Sequence, residues 1–323
     1  NKAFNVGPAI FSKLVNHYSI PGDILQTHIL SPRSTSYLAS LLIRNNFVGK
    51  FRVFGAGRNF KEYQAYFDKV GATNIKLYEE NFLGINRHIL EKTVAIYCTP
   101  PSSFSSIADP IELICSRGGD LKMLQFLSES EMNDDGLTRA TKILKEQRDT
   151  IKSAMSKPQI QFILYETHSI VRAENEDMVQ KAMDYVNRKA FDKHTVKAQK
   201  ERERLEQIER EKENMPSIPG EKKDAKKDGK GGKKVEIKKG EGKNNMGASN
   251  ESLDEIDGGD GALKKDEPIE VKVPDTDLFE VCQLPDFCLN KDNCVAEAKD
   301  GCFLSLLRRK EIIRMDSKYL IQV

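Results

Sequence analysis

Short apolar runs alternate with amphipathic stretches from Phe4 to about Phe191. The apolar runs predict strands, and among them are GDILQTHIL, GKFRVFGAG, NIKLYEENFL, TVAIYCTPP and QIQFILYETHS. The amphipathic stretches predict helices, and among them are YLASLLIRN, FKEYQAYFDKVG and KILKEQRDTIKSAM. Gly71 follows the last apolar position of FKEYQAYFDKV, as expected of a helix C-terminus. Strands and helices alternating at these lengths predict βαβ units on a parallel sheet.

This pattern stops at about Lys197 and resumes at about Asp277. The segment KAQKERERLEQIEREKENM is a charged helix former. The lysine- and glycine-rich sequence that follows is of low complexity, so we expect this second segment to be disordered. After an acidic patch, DLFEVCQL and GCFLSLLRRK predict a hairpin that returns to the sheet. The sequence therefore predicts a folded part in residues 1–193, a charged insert in 194–277, and strands in 278–323 that complete the same domain.

Composition limits the classes of function. The net charge of +2 over 323 residues is too small to indicate nucleic-acid binding by itself, although 31% of residues are charged. No apolar run approaches the roughly 20 residues that span a bilayer, and no signal peptide opens the chain. We expect an intracellular protein without membrane contact, in the nucleus or the cytoplasm. Because the text begins at Asn1 rather than at methionine, we also expect a fragment of a longer chain.

Four of the six cysteines come late in the chain, at Cys282, Cys288, Cys294 and Cys302. Their spacing is too long and too even for the paired C-x-x-C motifs of structural zinc sites. We predict no metal site and interpret these cysteines as free thiols.

The loops after successive strands are the candidate binding region, because in open α/β sheets ligands bind beyond the carboxyl ends of the strands. These loops read ILSPRS, GAGR, EENF, CTPPSS and ETHS. None of them is a recognised motif alone, and GAG is too short for a dinucleotide fingerprint.

Taken in order, the segments resemble the NSUN (Nop/Sun) family of S-adenosylmethionine-dependent RNA cytosine-5 methyltransferases. The segments that carry the resemblance are ILQTHILSPRSTSYLASLL, GKFRVFGAG, KVGATNIKLYEENFL, CTPPSSFS, YETHSIVRAENEDMV and DGCFLSLLRRK. It covers residues 4–190 and 278–310, and ENEDMV and DGCF are its most specific parts. The resemblance implies a Rossmann-like class I methyltransferase fold, an α/β fold with a mostly parallel seven-stranded sheet and a C-terminal antiparallel hairpin.

The family's reaction uses two cysteines, one that adds to C6 of the cytosine and one that assists release of the product. In the aligned positions this chain has His168, within THS, and Pro101, within CTPPSS. Imidazole lacks the reversible addition chemistry of a thiolate, and proline offers no side-chain donor, acceptor or base. We therefore expect the family's reaction to be lost or severely slowed.

The positions aligned with the family's cofactor contacts have also changed. The family's loop after the first strand aligns with Gln26, Ser31, Pro32 and Ser34. The family's carboxylate that holds the ribose aligns with Gly55, and its acidic residue beside adenine aligns with Asn81. The aspartate of the family's DAPC motif aligns with Cys98. Pro32 removes a backbone donor where the family has glycine. We expect S-adenosylmethionine to bind weakly or not at all.

Simpler interpretations of the same residues stay open. His168 is interpreted either as a hydrogen-bonded or solvated side chain without a catalytic task or as a nucleophile in a new role. Cys98 is either a packed thiol or a substitute nucleophile. The serines of TPPSSFSS have no paired base. The lysine-rich tract is either a solvated linker or a contact for RNA phosphates.

Three hypotheses follow for the function. The first is a degenerate methyltransferase retained for binding RNA or a protein partner, with KKDAKK and LLRRK as phosphate contacts. The second is an active RNA methyltransferase with non-standard catalytic residues. The third is an interaction protein that acts through the charged insert.

Overall fold

The structure is a computed structural model, and it describes residues 3–107, 134–213, 271–284 and 301–313. The predicted disordered tract, the acidic patch, KKDAKK and two of the late cysteines, Cys288 and Cys294, lie outside the described residues. The chain divides into two compact units, one of residues 1–196 and 271–323 and one of residues 197–270. The predicted boundaries at 193/194 and 277/278 stay predictions.

Helices and strands alternate as the apolar pattern predicts. The helices are α1 (Ala3–Tyr18), α2 (Pro32–Leu42), α3 (Phe60–Val70), α4 (Asp134–Met155) and α5 (Glu176–Glu213). The strands are β1 (Gly22–Gln26), β2 (Val48–Val53), β3 (Ile75–Leu77), β4 (Thr93–Cys98), β5 (Phe162–Thr167), β6 (Phe279–Cys282) and β7 (Phe303–Arg309). Gly71 ends α3 in the left-handed conformation, with φ 73°, which glycine adopts without steric cost.

The described strands form one seven-stranded sheet in the order β3-β2-β1-β4-β5-β7-β6. Strands β1 to β5 pair in parallel, and β7 runs antiparallel to both β5 and β6. The order reverses beside β1, so the loops after β1 and β4 flank a crevice at the carboxyl ends of the strands. The fold is the Rossmann-like class I methyltransferase fold, and the predicted C-terminal hairpin is confirmed.

Each strand of the sheet centre is buried on both faces. Ile24 of β1 packs with Phe11 of α1 and Leu38 of α2 in one apolar cluster, and Leu25, the next residue, packs with Ile151 of α4 in another. Adjacent strand residues point to opposite faces, so α1, α2 and α3 cover one side and α4 and α5 cover the other.

Helix α1 contains a proline, and the fold uses the acceptor that the proline releases. Pro8 has no N–H to donate to the carbonyl of Phe4, four residues earlier. That carbonyl instead accepts a hydrogen bond from Ser34 Oγ at 2.9 Å, which ties α1 to the first turn of α2. The start of α1 is thereby held over the carboxyl edge of the sheet.

Both arginines of LLRRK have partners within the chain. Arg309 is 4% exposed, and it donates to the carbonyls of Ile160 and Lys157 at 3.1 and 3.0 Å. Arg308 pairs with Glu280 on the neighbouring strand β6, at 2.5 Å. The alternation of β7 turns Arg309 inward, where it donates to backbone carbonyls, and LLRRK as an RNA phosphate contact stays a prediction.

Candidate functional site

The predicted catalytic positions meet at the carboxyl edge of the sheet. His168 directly follows the last residue of β5, and Cys98 is the last residue of the neighbouring strand β4. The loop that contains Pro101 folds against His168, since the His168 N–H donates to Ser102 Oγ at 3.3 Å. The roles of these positions stay predictions, although the structure brings them together.

His168 is sealed inside this edge. Its side chain is 1% exposed, and its ring packs against Phe4 of α1 at a centroid distance of 4.2 Å. The ring of Phe104 stacks on it at 5.8 Å with an angle of 8° between the planes. Its Nδ1 lies 3.4 Å from the carbonyl oxygen of Gly301, which precedes β7. A nucleobase that approaches from solvent would therefore contact the rings of Phe4 and Phe104 before it reached the imidazole of His168.

Phe104 reaches this position through an unusual backbone conformation. Its φ is 56°, in the left-handed region that bulky residues rarely adopt. Phe104 is 9% exposed and packs with Phe4 and Ile107 in a small apolar cluster. Such strain costs on the order of 1–3 kcal/mol and persists only where the surrounding packing fixes it. The aromatic cover over His168 is thus a built feature of the loop.

A buried carboxyl group lies beside the histidine. Glu166, in β5, is 1% exposed, and its Oε1 is 3.4 Å from His168 Nε2. The hydroxyl of Tyr97, in β4, donates to Glu166 Oε2. Burial raises the pKa of Glu166 well above 4.5. Burial thus favours the uncharged form of this carboxyl group.

The Glu166→Gln variant is expected to change how stability depends on pH. Because the folded state holds the Glu166 proton more tightly, the contribution of Glu166 to stability is fully present below pH 4.5 and is lost as the pH rises towards the raised pKa. The limiting slope is about 1.4 kcal/mol per pH unit, and the amide variant lacks it. Urea denaturation at pH 5, 6 and 7 measures the difference. A constant difference between wild type and variant would contradict the uncharged carboxyl, and the exposed Glu176→Gln is the control.

The two loops are joined by a second buried carboxylate. Glu174 accepts from Ser169 Oγ at 2.8 Å, from the Ser103 N–H at 2.9 Å and from Gln147 Nε2 at 2.9 Å. The same amide nitrogen of Gln147 donates to the carbonyl of Pro101 at 2.8 Å. Glu174 thereby fixes the loop after β4 against the loop after β5. The serines of this loop act as structural donors and acceptors.

Cys98 packs as an interior thiol. It is 0% exposed, and burial raises the pKa of its thiol to about 12, with a hydrogen bond to Thr27 acting in the opposite direction. Only a thiolate is a good nucleophile, so at neutral pH this thiol is inert. The packed-thiol interpretation fits the geometry better than a substitute nucleophile.

The positions aligned with the family's first cofactor loop are engaged within the chain. Gln26 donates through Nε2 to the carbonyl of His28 at 2.8 Å and accepts from Thr35 at 3.2 Å. Ser31 is the buried N-cap residue of α2, and Pro32 occupies its first turn. The hydroxyl of Ser34 is bound to α1, as described above. The side chains of Gln26 and Ser34 thus hydrogen-bond within the protein, whereas Arg33, in the first turn of α2, is exposed.

A histidine and a glutamate face each other across the same edge. Glu146 of α4 lies 3.3 Å from Nε2 of His28, which follows β1, and the hydrogen bond with His28 is the main cause that lowers the pKa of Glu146. Asn81 adds a second hydrogen bond to this carboxylate. His28 also packs against Gly55, where an added Cβ would lie 3.7 Å from the Cα of His28. The predicted positions Gly55 and Asn81 thus surround a histidine and carboxylate pair.

Several residues of the site were missed by the sequence analysis: Phe4, Tyr97, His28, Glu146 and Glu166. Glu166 stands in an apolar strand, FILYET, where burial of a carboxylate costs free energy. A glutamate in such a strand is the sequence feature that could have identified Glu166 as a site residue. Nothing in the sequence marks Phe4 or Glu146, because they reach the site from helices remote in the chain.

No protein-family profile matches the chain. The Mus musculus protein named "Putative methyltransferase NSUN7" is 28% identical over 171 residues, and its Homo sapiens counterpart is 27% identical over 167 residues. The resemblance to NSUN proteins is confirmed. These matches cover 52% and 50% of this chain, and the NSUN-like chain spans 23% of the length of either relative.

Two solved structures show weak similarity. "Crystal Structure of PH0851" has a TM-score of 0.40 and 17% identity, over 57% of this chain and 40% of that one. A Streptococcus mutans protein, titled "a putative methyltransferase" and crystallised with SAH, has a TM-score of 0.29 and 10% identity, over 56% and 80%. At these scores the likeness is too slight to support the fold assignment, which rests on the strand order. Among the described helices, none is long and apolar enough to cross a membrane.

Proposed function

We propose that this NSUN-like chain is a degenerate methyltransferase domain, retained for binding RNA, that does not carry out cysteine-dependent methylation of cytosine. The observation that carries the proposal is the burial of His168 at the position aligned with the nucleophile. A nucleophile must approach C6 of the base to form a bond. The ring of His168, with an exposed fraction of 1%, lies under Phe4 and Phe104 instead.

The residues at the cofactor edge do not fit S-adenosylmethionine. Gly55 brings no carboxylate to the place where the family binds the ribose, and Cys98 brings a buried neutral thiol in place of an aspartate. Glu146 is already paired with His28. S-adenosylmethionine would have to break the pair of Glu146 and His28. Few of the side chains that bind this cofactor in the family are present at the aligned positions. We therefore derive no reaction step through this cofactor.

Exposed arginines at the carboxyl edge support the RNA part of the proposal. Arg33 follows β1, Arg58 follows β2 and Arg172 follows β5, and all three residues are exposed. Arg172 lies 3.7 Å from Asp177, and a pair this exposed is weak. Guanidinium groups bind phosphates through parallel hydrogen bonds, so three of them around converging loops suit an RNA backbone. The NSUN resemblance supports the same ligand class.

Salt-dependent RNA binding tests the proposal. We expect Arg33→Gln combined with Arg58→Gln to weaken binding of a single-stranded RNA about tenfold at 0.1 M salt. The slope of log K against log salt should shrink by about 1.4, which corresponds to two lost phosphate contacts. Fluorescence anisotropy measures both quantities. Arg44→Gln, an exposed arginine after α2 and away from this edge, is the matched control. Equal losses in both variants, or no binding by wild type, would contradict the proposal.

A further inference from the structure

A cavity of about 320 Å³ lies at the opposite edge of the sheet from the candidate site. Its opening lies between the C-terminal end of α4, helix α5 and the last residue of β7. Met155, Pro158 and Val186 give it apolar walls. Lys189, Lys193 and Arg309 also line it. A cavity of this size is at the small end of the range of ligand pockets in proteins.

Arg309 is the informative residue in this cavity. Its side chain is buried, with 4% of the residue exposed. Its Nε and Nη2 donate to the backbone carbonyls of Met155, Lys157 and Ile160. The hydrogen bonds described for the Arg309 side chain come from Nε and Nη2. No described carboxylate forms an ion pair with Arg309, while its guanidinium lies 4.1 Å from the centre of the Phe279 ring. Burial lowers the pKa of Arg309 to about 10, so it remains charged at neutral pH.

The other charges of the cavity offset this arginine only in part, and the negative charge of Asp277 raises the pKa of Arg309 against the effect of burial. Asp277 is the carboxylate of the lining, and its Oδ2 lies 2.7 Å from Nε2 of His194. Lys189 and Lys193 are one turn apart on α5, and both residues are exposed. Lys189 lies over the ring of Tyr185, 4.8 Å from its centre. Three cations and one carboxylate leave the lining with a net positive charge of two.

We propose that this cavity binds a small phosphate monoester, with the phosphate between Arg309, Lys189 and Lys193 and the organic part against the apolar walls. A phosphate monoester carries between one and a half and two negative charges at neutral pH, which matches the charge of the lining. Its oxygens are acceptors for hydrogen bonds from Arg309, Lys189 and Lys193. A carboxylate supplies half the charge and fewer acceptor oxygens. The inference is independent of the function proposed for the carboxyl edge.

Thermal unfolding and calorimetry with phenyl phosphate test this site. Phenyl phosphate combines the phosphate with a small apolar body, and it is compared with inorganic phosphate, benzoate and phenol at one ionic strength. At ten times its Kd, phenyl phosphate should raise the Tm of the full chain by about 4 °C. Inorganic phosphate should bind more weakly, and benzoate at least tenfold more weakly. Phenol should give no shift.

Lysine variants locate the binding. Lys189→Ala combined with Lys193→Ala should weaken phenyl phosphate at least tenfold in calorimetry, whereas Lys181→Ala, an exposed lysine on α5 outside the lining, should bind as wild type does. These surface changes leave Arg309 and the fold in place. The proposal is overturned if phenyl phosphate fails to bind, if the double variant binds it equally well, or if benzoate binds as tightly.

Discussion

Replacing Arg309 by methionine is expected to lower the free energy of unfolding by about 3 kcal/mol. Its guanidinium donates to the carbonyls of Met155, at the end of α4, and of Lys157 and Ile160 just beyond. The last carbonyls of a helix have no partner within the helix, and a cation there also interacts favourably with the helix dipole. Methionine fills much of the volume but leaves these buried acceptors without donors.

Urea denaturation of Arg309→Met, with Arg308→Met as the matched control, measures this effect. Arg308 is the preceding residue of β7, its side chain is 31% exposed, and it pairs with Glu280. Pairs of this kind contribute about 0–1 kcal/mol, so the control should lose no more than that. Equal losses in the two variants would show that Arg309 has no special structural task.

The Gly7→Ala variant is expected to show the second large effect, a decrease in the free energy of unfolding of about 2–3 kcal/mol. An added Cβ at Gly7 would lie 2.4 Å from Oε2 of Glu166 and 2.5 Å from the hydroxyl oxygen of Tyr97. Both partners are buried and bonded to each other, so neither moves without cost. Alanine would otherwise favour the helix by about 1 kcal/mol, and the clash reverses this sign.

Gly84→Ala provides the comparison for Gly7→Ala. An added Cβ at Gly84 meets no atom within 4 Å, so its effect should stay within about 0.5 kcal/mol. Chemical denaturation of both variants checks the difference. If Gly7→Ala is as stable as Gly84→Ala, α1 does not pack on the Glu166 and Tyr97 pair as closely as described.

Periodicity in the sequence predicts the sheet well because its strands are continuous apolar runs. The run TVAIYC became β4 with every residue buried, and Gly71 ended α3 as predicted. The segment FILYET became β5, although its carboxyl residue Glu166 is buried as deeply as its neighbours. Local pattern fixes these elements because burial on both faces leaves few other arrangements for an apolar strand.

The site was less predictable because its parts come from distant segments. The motif comparison placed His168 and Pro101 on facing loops, which the structure brings together through Ser102. It could not show that Phe4, from the start of the chain, covers the histidine. The sequence also does not reveal that Arg309 faces backbone carbonyls. Side-chain partners across long sequence separations depend on tertiary packing.

Methyl transfer to RNA tests the central claim most directly. The full chain is incubated with S-adenosylmethionine labelled in its methyl group and cytosine-containing RNA, and 5-methylcytosine is quantified by mass spectrometry. Because His168 is covered and Cys98 holds a neutral thiol, we predict no product above that of His168→Ala and Cys98→Ala controls. Formation of 5-methylcytosine by wild type would contradict the account, and loss of the product in either variant would identify the residue that carries the reaction.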